Sequence, residues 1–163
     1  MGMTLTQTLW LLPVALPIGL YVAWSDLSSM KIPNKAVAAL VISFGILGLF
    51  PLGAEEWAWR WSHLLIVLAI GILMNALGLL GAGDAKFAAA AAPFVARDDI
   101  AFVLYLFAGC LLAGFVTHRL ARASALRRLV PDWQSWTTGN RFPMGFPLAA
   151  TLILYLLSPL YRG

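Results

Sequence analysis

Residues 62–86 read SHLLIVLAIGILMNALGLLGAGDAK. Positions 64–80 carry no charge. A run of that length can cross a bilayer as one helix, which takes about 17–25 residues. It stops at Gly81-Ala82-Gly83-Asp84-Ala85-Lys86, with an acid at the edge of the apolar stretch. A second acid, Asp26, sits in the same way at the end of an earlier run, in Ser25-Asp26-Leu27-Ser28-Ser29-Met30-Lys31-Ile32-Pro33-Asn34. Acids at membrane boundaries are uncommon and are candidates for function.

The rest of the chain fits a membrane protein. It has 163 residues, 61% hydrophobic and 11% charged. Soluble domains carry roughly 25% charged residues. A soluble fold of this size could not hide so much apolar surface. Long apolar runs, rather than alternating ten-residue segments, exclude a transmembrane barrel. The sequence therefore predicts an all-α, polytopic membrane protein in one domain over residues 1–163. Nothing in it calls for nucleic acid as a partner. No Lys or Arg precedes Lys31, so the first run lacks a basic leader region and is expected to be a retained span.

Six apolar segments can be marked, at about residues 8–25, 36–53, 62–80, 84–96, 100–118 and 143–160. The fourth is short and contains Pro93. Charge decides whether it crosses. With six crossings, Lys31, Lys35, Lys86, Arg119, Arg122, Arg127, Arg128 and Arg141 share one side. Arg60, Arg97 and Arg162 share the other. That asymmetry follows the positive-inside rule and predicts six transmembrane helices, both termini outside, and Asp26 and Asp84 facing the cytoplasm. Trp57, Trp59 and Trp61 read as an interfacial belt before the third span. Residues 119–130 read as an amphipathic helix on the inner leaflet. Gly45, Gly48, Gly71 and Gly78 are expected at helix contacts, and Asn75 as an interhelical hydrogen-bond partner. Glu55, Glu56 and Asp132 read as solvated loop charges, and Asp98 and Asp99 as caps outside.

Two carboxyl groups near one water can hydrolyse a peptide bond. One, ionised, takes a proton from the water, and the other, protonated, polarises the scissile carbonyl. Like charges at short range favour sharing a proton, so the pair titrates as a unit. Gly81 and Gly83 let the backbone bend and leave room beside Asp84. Asp84 is placed to cap the fourth span, where the helix dipole favours a carboxylate. Lys86 adds a positive charge next to it. Pro33 forces Ile32 to be extended, and Asn34 is the expected N-cap of the second span. Cys110 is the single cysteine, so no disulfide and no Cys-x-x-Cys zinc site exists. His63 and His118 lie far apart in sequence. No metal and no cofactor are expected.

With these motifs the chain resembles the type IV prepilin peptidases, in the short form that serves Flp/Tad-type pili. Asp26 with Ile32-Pro33-Asn34, Gly81-Ala82-Gly83-Asp84-Ala85-Lys86, and the six-span frame carry the resemblance; Phe142-Pro143-Met144-Gly145-Phe146-Pro147 is similar to a Pro/Gly-rich stretch opening the family's last span. The resemblance implies a Gly-x-Gly-Asp intramembrane aspartyl protease of the bacterial inner membrane, with Asp26 and Asp84 as catalytic pair. It implies prepilin-like protein substrates, cut at the cytoplasmic face to remove a basic leader. Longer members also N-methylate the new terminus and carry paired Cys-x-x-Cys motifs. This chain lacks those motifs, so cleavage without methylation is expected. Trp24-Ser25 before Asp26 sets the chain apart from presenilin-like proteases, which have Tyr-Asp there. The alternatives are a small ion-coupled transporter, which favours deep acids and internal repeats, and an inactive pilus-assembly subunit that keeps the fold.

Overall fold

The computed structural model describes residues 2–139 and 141–162. Among the described residues every regular element is helical. In chain order these are α1 (Leu5–Ser29), α2 (Asn34–Leu47), α3 (Leu49–Leu52), α4 (Ala54–Ala76), α5 (Ala82–Ala91), α6 (Ile100–Ala123), α7 (Gly145–Leu157) and α8 (Pro159–Arg162). Short 3-10 turns lie at Ala92–Phe94, Arg97–Asp99, Ala125–Leu129 and Gln134–Trp136.

Among the described residues three helices are long and apolar enough to cross a membrane: Leu5–Ser29, Ala54–Ala76 and Arg97–Ala123. Asn34–Leu47 and Gly145–Leu157 are shorter apolar helices. Six segments were expected to cross, and the others fall short of a full span as single helices. Two of these are prolonged by a short helix at their C-terminal ends. Gly48 (φ −64°, ψ −28°) keeps helical backbone between α2 and α3. Ser158 does the same between α7 and α8. From α2 through α3 the path covers about 28 Å at 1.5 Å per residue.

Helix ends follow local chemistry. Thr4 and Gln7 form a capping box, which starts α1 ahead of the expected position 8. Met30, left-handed at φ 53°, stops it after Ser29, so Asp26 lies one turn inside the helix. Gly78, at φ 72°, ends α4. Its N–H donates to the Asn75 carbonyl, and that of Leu79 to Met74, which is a Schellman closure. The third segment thus stops at Ala76, short of the expected Leu80. Gly78 makes this turn and does not pack between helices. Asn75 also acts locally, donating to the Leu80 carbonyl at 2.8 Å.

The long α1 and the shorter α2, α5 and α7 form the centre, and the long α4 and α6 form the flanks. Leu11, Ala15 and Val22 of α1, Leu40 and Phe44 of α2, Phe87 of α5 and Leu152, Tyr155 and Leu156 of α7 make the buried core. Small residues let the helices approach. Gly19 faces Ala149 and Ile153 of α7, and Gly71 of α4 faces Ala85 of α5. Gly45 faces Trp61 at ordinary contact distance, and Gly48 faces its own helix's Phe44. The flanking helices α4 and α6 leave Leu65 and Leu112 about two-thirds exposed, at 65% and 67%. Such surface suits lipid.

Contacts between ends set α1 against α7, and α4 against α5, in opposite directions. The Thr8 hydroxyl donates to the Leu156 carbonyl, joining the start of α1 to the end of α7. Trp57 at the start of α4 donates to the Phe44 carbonyl near the end of α2. Arg60 donates to the Phe94 carbonyl just beyond α5.

Other expectations need correction. Glu56 is no loop charge: it lies in the first turn of α4 and pairs with buried Arg60 at 2.6 Å. Trp57 and Trp61 turn inward, Trp61 meeting Phe44 edge-on at 5.5 Å, while Trp59 stays exposed. No separate amphipathic helix forms at 119–130. α6 continues to Ala123, extended Ser124 breaks it, and a 3-10 turn follows. Asp99 is the N-cap residue of α6 by backbone position, and its carboxylate serves other donors. It accepts from the Met3 N–H at 2.7 Å and the Tyr155 hydroxyl at 3.1 Å.

Candidate active site

Three short pieces of chain meet at one end of the bundle: the last turn of α1, the first turn of α5 and the first turn of α7. Asp26 comes from the first and is buried. Its Oδ2 accepts the Gly145 N–H at 2.6 Å, and the Phe146 N–H follows it in the same first turn. These are free amides at the start of α7, where a helix offers unpaired N–H groups and the positive end of its dipole. The loop after Asp26 is held by Ser25, whose hydroxyl donates to the Lys31 carbonyl at 2.9 Å, and by Pro33 at φ −66°.

Asp84 lies in the first turn of α5 and is half-buried. It was expected to cap this helix, but the N-cap residue is Gly81 and Asp84 is the third helical residue. From there its carboxylate lies over Gly81: a Cβ at 81 would stand 2.5 Å from Asp84 Oδ2, so a side chain there would turn the carboxylate. Gly83 has more room, its Cβ position lying 3.4 Å from Ile32 Cβ.

The two acids lie close enough for the charge of Asp26 to act on Asp84. Asn34 is the first residue of α2, after an N-cap at Pro33, and makes no cap bond as a side chain. Its Oδ1 instead accepts from Lys86 Nζ at 3.4 Å, so Lys86 links α5 to the start of α2. All seven residues singled out in the sequence, Asp26, Pro33, Asn34, Gly81, Gly83, Asp84 and Lys86, therefore belong to one region. Asp98 and Asp99 lie at the other end of the bundle. So does an open cleft lined by Glu56, Trp59, Arg60, His63, Arg97 and Asp98. Among the described residues, no three His, Cys, Asp or Glu side chains gather as metal ligands do.

Sequence reasoning missed the roles of Gly145 and Ile32. A Cβ on Gly145 would stand 3.0 Å from Asp26 Oδ2, 3.1 Å from Asp26 Cβ and 2.9 Å from Ile32 Cδ1. The Pro/Gly-rich stretch that contains Gly145 was the available signal, without a stated partner.

A pair of carboxyl groups at one end of an apolar helical bundle is equipment for a hydrolase working in a membrane. A sequence model of the type IV leader peptidase family matches residues 13–118, and the chain belongs to that family. It is thus a membrane protein and a protease of the leader-peptidase type. The match takes in both acids and ends before α7. No curated protein and no solved structure matched the chain.

Proposed function

We propose that the protein is an intramembrane aspartyl endopeptidase in which Asp26 and Asp84 act on one water. The observation that carries this reading is the meeting of the two acid-bearing turns at the end of an apolar bundle, where Ile32 lies against both Gly145, whose amide holds Asp26, and Gly83, next to Asp84. One carboxylate takes a proton from the water, whose oxygen attacks the scissile carbonyl carbon. The other carboxyl donates its proton to the carbonyl oxygen. The tetrahedral diol then collapses. The C–N bond breaks, the amine leaves with a proton returned by the first acid, and one diol hydroxyl gives its proton back to the second as the C=O re-forms. The Gly145 amide holds Asp26 in place before the reaction begins, which costs no reorganisation during it. This chemistry needs no metal and no cofactor.

The substrate we propose is the leader of type IV prepilin-like proteins, cut at the cytoplasmic face of the bacterial inner membrane. Family membership supports the substrate class. The Lys and Arg asymmetry and the alternating helix directions support six crossings, with both acids inside. On this reading residues 1–163 form one membrane-embedded peptidase domain, and cleavage proceeds without N-methylation. Acids at the end of the bundle, rather than midway along helices, favour hydrolysis over ion-coupled transport.

The test is co-expression of the chain with candidate prepilins, followed by mass measurement of the pilin. Loss of the leader is expected. Full-length prepilin beside normal levels of the inserted protein, for every candidate, would contradict the reading.

A further inference from the structure

Ile32 stands between α7, whose Gly145 amide holds Asp26, and α5, which carries Asp84. Its Cδ1 lies against Gly145, at 2.9 Å from the position a Cβ would take. Its Cβ and Cγ1 lie against Gly83, at 3.4 and 3.8 Å from the corresponding position there. One side chain therefore touches the first turn of α7, which holds Asp26, and the first turn of α5, which carries Asp84. The backbone that carries it is held in place. Met30 is left-handed at φ 53°, Ser25 binds the Lys31 carbonyl, and Pro33 fixes the next backbone angle. Neither glycine presents a side chain to it, so the isoleucine packs directly against both.

We propose that Ile32 is a positioning residue, an apolar spacer that sets the separation of Asp26 and Asp84. The proposal rests on the reading of these acids as the catalytic pair. α1 is seated on α7 through the Gly145 amide, and α5 is seated against Ile32 through Gly83. Removing side-chain volume at 32 lets α5 settle toward α1. Adding volume at 145 drives Ile32 and Asp26 away from α7. Either change moves one carboxyl relative to the other. Misplacement of a catalytic group by about 1 Å costs on the order of 100-fold in rate.

The experiment measures kcat and KM for prepilin cleavage by Ile32→Ala, Ile32→Val, Gly145→Ala and Gly145→Ala combined with Ile32→Val. Each protein is purified in detergent and matched for helical content by circular dichroism. Ile32→Ala and Gly145→Ala should each lose about 100-fold in kcat with little change in KM. Ile32→Val alone should be a few-fold slower. In the Gly145→Ala background it should instead speed cleavage roughly tenfold, because valine lacks the Cδ1 that the new methyl meets; touching residues couple by this much. If Ile32→Ala does not fold, Ile32→Leu carries the test. It conserves volume but moves the branch away from the glycines, and kcat should fall.

Wild-type kcat in Ile32→Ala or Ile32→Leu overturns the proposal. So does a loss confined to KM, or a double variant slower than Gly145→Ala alone. Asp26→Asn in the same assay separates the two readings. If it cleaves normally, the catalytic pair is wrong and the spacer falls with it. If it is inactive while the Ile32 variants cleave normally, only the spacer is wrong.

Discussion

Gly71 and Ala85 meet so closely that a Cβ built on Gly71 would lie 2.8 Å from the Cβ of Ala85. The contact seats α5 on α4, and Ala85 is the residue after Asp84. Any side chain at 71 must push against α5 backbone as well, since Ala85 Cα is only 3.3 Å away. Overpacking of this kind costs about 1–3 kcal/mol. Gly71→Val is expected to lower the thermal midpoint in detergent and to cut prepilin cleavage at least tenfold, a barrier of about 1.4 kcal/mol. Gly109→Ala, where a Cβ meets open space, is the control. Wild-type cleavage by Gly71→Val would show that the seat of α5 does not matter.

The glycines of the Gly81-Ala82-Gly83-Asp84 turn should differ in tolerance. A methyl at 81 collides with Asp84 Oδ2, whereas one at 83 makes near-ordinary contact with Ile32. Gly81→Ala is expected to lose most activity and Gly83→Ala to keep more of it. Relative cleavage rates at equal membrane levels decide. The reverse order would mean that the Asp84 carboxylate does not lie over Gly81 in the working enzyme.

Tyr155 tests the other end of the bundle. Its buried hydroxyl donates to Asp99 and accepts the Ala96 N–H at 2.9 Å. Tyr155→Phe leaves both groups without that partner, at a cost of about 1–3 kcal/mol. Thermal melts should show the loss, while cleavage per folded molecule should stay at the wild-type level, because both acids are far away. A fall in activity with unchanged stability would contradict that separation.

Topology can be read by labelling single cysteines after Cys110 is replaced by alanine. Cysteines at Ser29 and Ser124 should react from the cytoplasmic side, and one at Glu56 from outside. Reaction of positions 29 and 124 from opposite faces would rule out the six-crossing arrangement.

Much of this was legible in the sequence, for reasons that also explain the rest. Asp26 and Asp84 stand out because charge is rare beside long apolar runs. Their meeting follows from helices alternating in direction. Met30 and Gly78 were harder to read: a left-handed residue moves a helix end by several positions while hydropathy stays constant. The buried bonds of Arg60 and Asp99 were not legible because their partners, the Phe94 carbonyl and the Tyr155 hydroxyl, lie 34 and 56 residues away. The Gly145 amide joins Asp26 across 119 residues, and a backbone donor has no signature in sequence.

The catalytic pair itself is tested by replacing each acid with its isosteric amide. Prepilin cleavage is measured for wild type, Asp26→Asn, Asp84→Asn, the double variant and Asp132→Asn, at matched membrane levels. If both carboxyls act on one water, each single change abolishes cleavage and the double variant is hardly worse than either, because groups acting as a unit are non-additive. Asp132→Asn, an exposed position in the 125–141 region, remains active. Near-normal cleavage by Asp26→Asn or by Asp84→Asn contradicts the aspartyl mechanism.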